Sequence, residues 1–257
     1  RSLTTAMITL STEKTAAIRA LRSAAPYIRL FKGKTFVVKA GGAVFGDKRA
    51  TRALIEQIAI LHYLGVRVVL VHGGGPQLTQ VTEAMGVPTQ MVQGRRVTDE
   101  KAIDATSMVL NGLINTQLLA ICRELEIDAV GVSGVDAGLI RAHKRGPVQV
   151  EGKAVDYGFV GDIDLVDDKV LKTLLDNGLM PVVSPLSADD KGTLLNINAD
   201  TVAAAIGAAL GAEKLILCTG APGILENVAD PGSVISFTDL KGLDRLRQSG
   251  AIKDGML

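Results

Sequence analysis

Tryptophan is absent from the 257 residues, and the aromatics amount to three tyrosines and five phenylalanines. With the basic residues scattered rather than clustered, the footprint of a nucleic-acid binder is missing. Cysteine is nearly missing too. Cys122 and Cys218 alone build neither a disulfide framework nor a zinc site, and both sit in apolar runs, as buried thiols of a reducing compartment do. Neither sign of charge is in excess: 28 basic residues face 27 acidic ones, for a formal net charge of +1. An apolar fraction of 47% with so little net charge excludes a disordered chain. No apolar run reaches the ~18 residues of a membrane-spanning helix, and no secretory pattern opens the chain. A cytoplasmic protein with no nucleic acid and no membrane among its partners is expected. The chain begins at Arg1, with Met7 as a more natural start, and ends at Gly255-Met256-Leu257, which does not read as a polar tail. A fragment is expected.

Glycine, by contrast, is abundant, with 28 residues against an average near 7%. It has no G-X-Y period, so the excess belongs to turns. Ser11 reads as an N-cap, and Ile18, Leu21, Ala25 and Ile28 form a narrow helical stripe interrupted by Pro26, where a kink or break is expected. This arm precedes the first strand and either packs on its own domain or is lent to a neighbour. Beyond it the text alternates. Strands are expected over 35–39, 66–71, 129–132, 180–184 and 214–218. Helices are expected over 48–64, from Pro76, and over 100–124, 167–176, 199–210 and 238–249. Residues 139–163 read as an antiparallel insertion, and 193–198 as a strand or hairpin arm. Alternation of this kind predicts an α/β fold, a three-layer αβα sandwich with a mainly parallel central sheet.

Three glycine clusters follow three of the strands: Gly41-Gly42, Gly73-Gly74-Gly75 and Gly220 to Gly223. Each alone is explained by a tight turn. Several at one edge of a sheet point to a phosphate site, because ligands bind beyond the carboxyl ends of parallel strands and bare backbone N–H groups approach an anion closely. The nucleotide-binding P-loop, the dinucleotide fingerprint and the protein-kinase motifs are all missing. Lys39, at a strand end beside the first glycines, is either a charge for a phosphate or an ordinary solvated lysine. Gly94-Arg95-Arg96 precedes a helix, where an arginine either clamps a carboxylate or caps the turn. Asn196 and Asn198 share one strand face, and Asp200 opens the next helix, where capping is the simpler role. His72 reads equally as a packed strand-end residue and as a catalytic one.

The ordered set of segments resembles the amino acid kinase family and, within it, the acetylglutamate kinases. The matching stretches are Pro26-Tyr27-Ile28-Arg29, Phe31-Lys32-Gly33-Lys34-Thr35, Val38-Lys39-Ala40-Gly41-Gly42, Val71-His72-Gly73-Gly74-Gly75-Pro76-Gln77 and Arg96-Val97-Thr98-Asp99. Gly158-Phe159-Val160-Gly161, Asn196-Ile197-Asn198-Ala199-Asp200 and Gly255-Met256-Leu257 complete the set.

The resemblance implies ATP with Mg2+, and phosphoryl transfer to the side-chain carboxylate of N-acetyl-L-glutamate. It implies Lys39 on the phosphates and Asp200 holding the catalytic lysines. Gly41, Gly42, Gly73, Gly74 and Gly75 would form the backbone cradle, with Gly74 and Gly75 on the substrate side. Arg96 would pair with the substrate's α-carboxylate, and Asn196 would hydrogen-bond its backbone. Thr219 and Gly223 would lie in the nucleotide half, and no protein metal ligand is implied. Residues 1–31 would be a kinked oligomerisation arm, about 32–187 the substrate half and about 188–257 a truncated nucleotide half. Arginine-inhibited relatives assemble as hexamers, trimers of dimers, through such an arm, which implies L-arginine as a feedback inhibitor here. The sequence departs from the family at Ala40, Thr116, Val135 and Asp254, and it stops before a second phosphate-binding lysine, so this stretch is expected to be impaired. The alternative is the kinase-like arginine-sensing domain of an acetylglutamate synthase.

Overall fold

The computed structural model describes residues 12–248 except positions 88, 94 and 228. The expectations for Ser11, Met7, Gly94 and Gly255 to Leu257 lie outside the described residues.

Helix α1 (Thr12–Phe31) runs through Pro26, so the expected break is not found. Proline removes one N–H and crowds the carbonyl four residues back, here that of the exposed Arg22, which water can satisfy. The last turn is anchored. Phe31 meets Phe36 edge-on at 5.2 Å, while Leu21, Tyr27 and Leu30 are exposed.

Strand β1 (Thr35–Ala40) follows, then a 3-10 turn (Val44–Gly46) and helix α2 (Lys48–Tyr63), capped by Asp47, whose side chain accepts from the Arg49 N–H. Strand β2 (Arg67–His72) leads into helix α3 (Gly75–Ala84), with Pro76 in its first turn, where a missing N–H is harmless. Strands β3 (Gln90–Val92) and β4 (Arg95–Val97) then pair as a hairpin. Arg95 and Arg96 therefore lie on a strand and not in a turn before a helix. Asp99 caps the next helix instead, its side chain accepting from the Ala102 N–H at 2.8 Å.

The expected helix over 100–124 is three pieces in one rod: α4 (Glu100–Ser107), a π-helical stretch (Met108–Ile114) and α5 (Asn115–Glu124). By length and composition this rod would suffice to cross a membrane. Here Ala105, Val109, Leu110, Ile114, Leu118 and Cys122 bury it in the core. Strand β5 (Ala129–Ser133), β6 (Ile140–Lys144), the hairpin β7 (Val148–Val150) and β8 (Lys153–Val155), and β9 (Gly161–Val166) come next. They are followed by α6 (Lys169–Asp176), β10 (Met180–Ser184), β11 (Leu186–Ala188), β12 (Leu194–Asn196), α7 (Ala199–Ala209), β13 (Lys214–Cys218) and α8 (Leu240–Gln248).

The central sheet has the order β13-β1-β2-β10-β5, and its pairs are all parallel. Helices cover both faces, which is why β1 and β2 are apolar almost throughout. Alternation sorts their side chains. Phe36, Val38 and Ala40 join α2 and α5 in one core, while Val37 joins Val202, Ala203 and Ile206 of α7 in the other. Lys39 shares the face of Val37 and so points toward α7. From the expected insertion, β6 and β9 pair antiparallel and join β11 and β12 in a second sheet, β12-β11-β6-β9, on the α7 side, with β11 parallel to β6, while β7 and β8 pair separately.

Candidate functional site

Because the strands of the main sheet are parallel, their carboxyl ends lie along one edge. Gly41-Gly42, Gly73-Gly74-Gly75 and Thr219 all follow at this edge. Gly41 donates to the Cys218 carbonyl at 3.4 Å and Gly73 to the Ala40 carbonyl at 2.9 Å, so both amides extend the sheet ladder. Among the described residues, the N–H groups of Gly42, Gly74 and Gly75 have no backbone acceptor. Two of these glycines are required by close packing. A Cβ on Gly42 would lie 2.7 Å from Pro76 Cδ and 3.0 Å from Gly74 Cα, and one on Gly74 would lie 2.3 Å from Ile114 Cδ1. Gly75 faces open space. The positive end of α3 starts here, so the edge offers free donors and a favourable field for an anion.

Lys39 is 9% exposed, and its Nζ stands 2.9 Å from Asp200 Oδ1. Asp200 is free for this contact because Asn198 is the cap of α7. The Asn198 Oδ1 accepts from the Asp200 N–H at 2.7 Å and the Thr201 N–H at 3.3 Å. The capping role expected of Asp200 falls to its neighbour, and the charge faces the strand lysine.

Arg96 reaches the same edge from β4. Its Nη1 donates to Thr89 Oγ1 at 2.8 Å, and its Nη2 donates to Thr79 Oγ1 at 2.6 Å and to the Gly75 carbonyl at 3.2 Å. Burial lowers its pKa, with the charge of Glu83 acting in the opposite sense. A backbone ladder ties this strand to the others. Phe159 donates to the Thr98 carbonyl at 2.7 Å, and Asn196 to the Phe159 carbonyl at 2.8 Å. Gly158 permits the approach, since its φ is +73° and a Cβ would lie 2.2 Å from the Thr98 oxygen. Among the described residues, none hydrogen-bonds the Asn196 side chain. A Cβ on Gly223 would lie 3.1 Å from Val234 Cγ1.

His72 is fully buried. Asn115 Nδ2 donates to its Nε2 at 3.1 Å, and its Nδ1 lies 3.4 Å from the Gly73 carbonyl. Burial pushes its pKa down to about 4, so it is neutral at pH 7 and holds the strand end. Several residues escaped notice in the sequence. Gln77 Nε2 donates to the Gly42 carbonyl at 2.8 Å, bracing one glycine loop against the other. Thr79 and Thr89 hold Arg96, and Asn111 on the π-helical stretch accepts from Ser184. The hydroxyl-bearing face of α3, directly after the triple glycine, was the available signal.

The family model for the amino acid kinase family matches residues 34–257. Acetylglutamate kinase of Myxococcus xanthus is 49% identical over 243 residues, covering 92% of this chain and 79% of that protein. Its Nostoc counterpart is 43% identical, covering 93% of this chain and 78% of its own length. Among solved structures, N-acetylglutamate synthase from Neisseria gonorrhoeae, complexed with coenzyme A and N-acetyl-glutamate, superposes with a TM-score of 0.70 at 26% identity. That likeness covers 85% of this chain and 48% of the synthase.

Proposed function

The chain belongs to the amino acid kinase family, and from that premise we propose that it transfers the γ-phosphoryl group of ATP to the side-chain carboxylate of N-acetyl-L-glutamate, the activity of its acetylglutamate kinase relatives. The observation that carries this reading is the buried Lys39 ammonium, paired with Asp200, at the same sheet edge as the free amides of Gly42, Gly74 and Gly75. The nucleophile is a carboxylate already ionised at pH 7, so no general base is needed, and buried His72 is given no proton-transfer role. One carboxylate oxygen attacks the γ-phosphorus as the bond to the bridging oxygen breaks. ADP leaves with that electron pair, and an acyl phosphate forms.

The work left to the protein is to bring two anions into line and spread their charge. Lys39 neutralises phosphate oxygens while Asp200 keeps its ammonium in place. The Gly42, Gly74 and Gly75 amides and the α3 terminus receive the moving group. Arg96 takes the α-carboxylate of the substrate and Asn196 its backbone. Gly41 and Gly73 shape the loops, and Thr219 borders the nucleotide. About 32–187 then form the substrate half and about 188–257 the nucleotide half.

Among the described residues, no group of three or more His, Cys, Asp or Glu side chains is placed to hold a metal. A Mg2+ ion would be carried chiefly by the ATP phosphates and water, where it would supply charge neutralisation. The exposed Ile18, Leu21, Tyr27 and Leu30 of α1 support docking of this arm on a second copy, consistent with a hexamer built from dimers. Inhibition by L-arginine belongs to the same reading and is checked by adding it to the assay. The free thiols Cys122 and Cys218 suit a cytoplasmic site of action.

The test is capture of the acyl phosphate as its hydroxamate, in a reaction requiring both ATP and N-acetyl-L-glutamate, with glutamate a poor substrate. No hydroxamate and no acetylglutamate-dependent ADP release from the intact protein would overturn the reading.

A further inference from the structure

Arg96 is a cation held by neutral groups. Its protein acceptors are two threonine hydroxyls and one carbonyl, and among the described residues no carboxylate forms an ion pair with it. An arginine matched to an internal acid would have its charge answered within the fold. This one is oriented by neutral acceptors and left without an ion pair, the charge of Glu83 acting on it without a hydrogen bond.

The direction of each hydroxyl follows from counting protons, since a hydroxyl carries one proton and two lone pairs. Thr79 donates its proton to the Gly75 carbonyl, 3.1 Å away in its own helix, so its oxygen faces Arg96 only as an acceptor. Thr82 is 1% exposed and donates into the same helix, with the Leu78 carbonyl at 2.9 Å and that of Thr79 at 3.0 Å. Across the 3.1 Å contact between Thr82 and Thr89, Thr82 must therefore accept and Thr89 donate. That leaves the Thr89 lone pairs for Arg96. The relay runs from Arg96 to Thr89, to Thr82 and into a carbonyl of α3. Thr79 and Thr82 stand three residues apart on α3 and so share the face turned to β4.

We propose that Thr79, Thr82 and Thr89 are positioning residues that lock the Arg96 guanidinium as a preformed, unpaired receptor for a carboxylate of the substrate. The proposal rests on the reading of Arg96 as the carboxylate-binding arginine. None of the three threonines touches substrate. They remove the guanidinium's freedom to rotate while leaving its positive charge intact. A carboxylate in their place would orient Arg96 equally well and quench it.

Steady-state kinetics with ATP and N-acetyl-L-glutamate on the Thr79→Val, Thr79→Ser, Thr79→Asp and Arg96→Lys variants tests this, with a melting curve for each. Thr79→Val is expected to raise KM for acetylglutamate about tenfold, as losing a hydrogen bond to a charged group does, while KM for ATP stays within about twofold. Thr79→Ser restores the parent KM, and Thr79→Asp raises it further than Thr79→Val by pairing with Arg96. If Thr79→Val does not fold, Thr89→Val carries the same expectation. A parent-like KM in Thr79→Val alongside a raised KM in Arg96→Lys would overturn the positioning role of the threonines alone. A parent-like KM in Arg96→Lys as well would remove the role of Arg96 and the relay with it. Thr79→Asp no worse than Thr79→Val would refute the charge argument.

Discussion

The Lys39–Asp200 pair is asymmetric, and that asymmetry predicts different costs for breaking it from its two ends. The Lys39 side chain is 11% exposed and that of Asp200 47%. Asp200→Asn strands an ammonium that water hardly reaches, whereas Lys39→Met leaves a carboxylate that water solvates and fills the lysine's path with apolar chain. For unit charges about 4 Å apart at an effective dielectric near 20, the lost attraction is about 4 kcal/mol, and the exposure of Asp200 reduces it. A loss of about 2 kcal/mol is expected for Asp200→Asn, lowering the melting temperature by about 4–8 °C. Lys39→Met should lose no more than about 0.5 kcal/mol. Thermal unfolding followed by circular dichroism separates the two. Turnover should fall about a hundredfold or more in both, since a phosphate charge is either misplaced or removed. Equal destabilisation, or a larger loss in Lys39→Met, would refute the account of the pair. Undiminished turnover in either would refute its role in transfer.

Adjacent glycines should behave differently. Gly74→Ala drives a methyl group into Ile114 and Leu110 and should lose about 1–3 kcal/mol in urea unfolding. Gly75→Ala meets nothing and should keep the parent stability while raising KM. His72, held near pKa 4 by burial, takes up its proton in the unfolded chain first. Its contribution is therefore complete above about pH 6.5 and is lost as the pH falls toward 4, by about 3 kcal/mol in all. A His72→Gln variant should show a flatter pH–stability profile over that interval. Removing residues 1–26 takes away Ile18 and Leu21 and the body of the α1 arm, and should reduce the assembled mass measured by light scattering. An unchanged mass would return the arm to its own domain.

Much of the fold was legible because its signals are local. The β-branched runs of β1 and β2, the Gly-Pro start of α3 and the glycine clusters after the strands each depend on a few neighbouring residues. Periodicity could not reveal the π-helical stretch at Met108–Ile114, because the pattern of the surrounding rod stays helical across it. The short β3–β4 hairpin was hidden by its length and by its two arginines. Of the kink or break expected at Pro26, the break did not occur, since a helix with water on nearly every side can satisfy the carbonyl a proline leaves free.

The site divides along the same line. By itself the sequence determined which groups were available: a strand-end lysine, free glycine amides, an arginine, and an Asn-x-Asn-x-Asp run entering a helix. Only the tertiary structure decided their pairing. Asp200 meets Lys39 because period two turns Lys39 toward α7 and Asn198 takes over the cap. Arg96 stays without an ion pair because the fold gives it hydroxyl acceptors whose protons point elsewhere. A residue's chemistry is written in its name, whereas its charge balance depends on partners brought to it from distant parts of the chain.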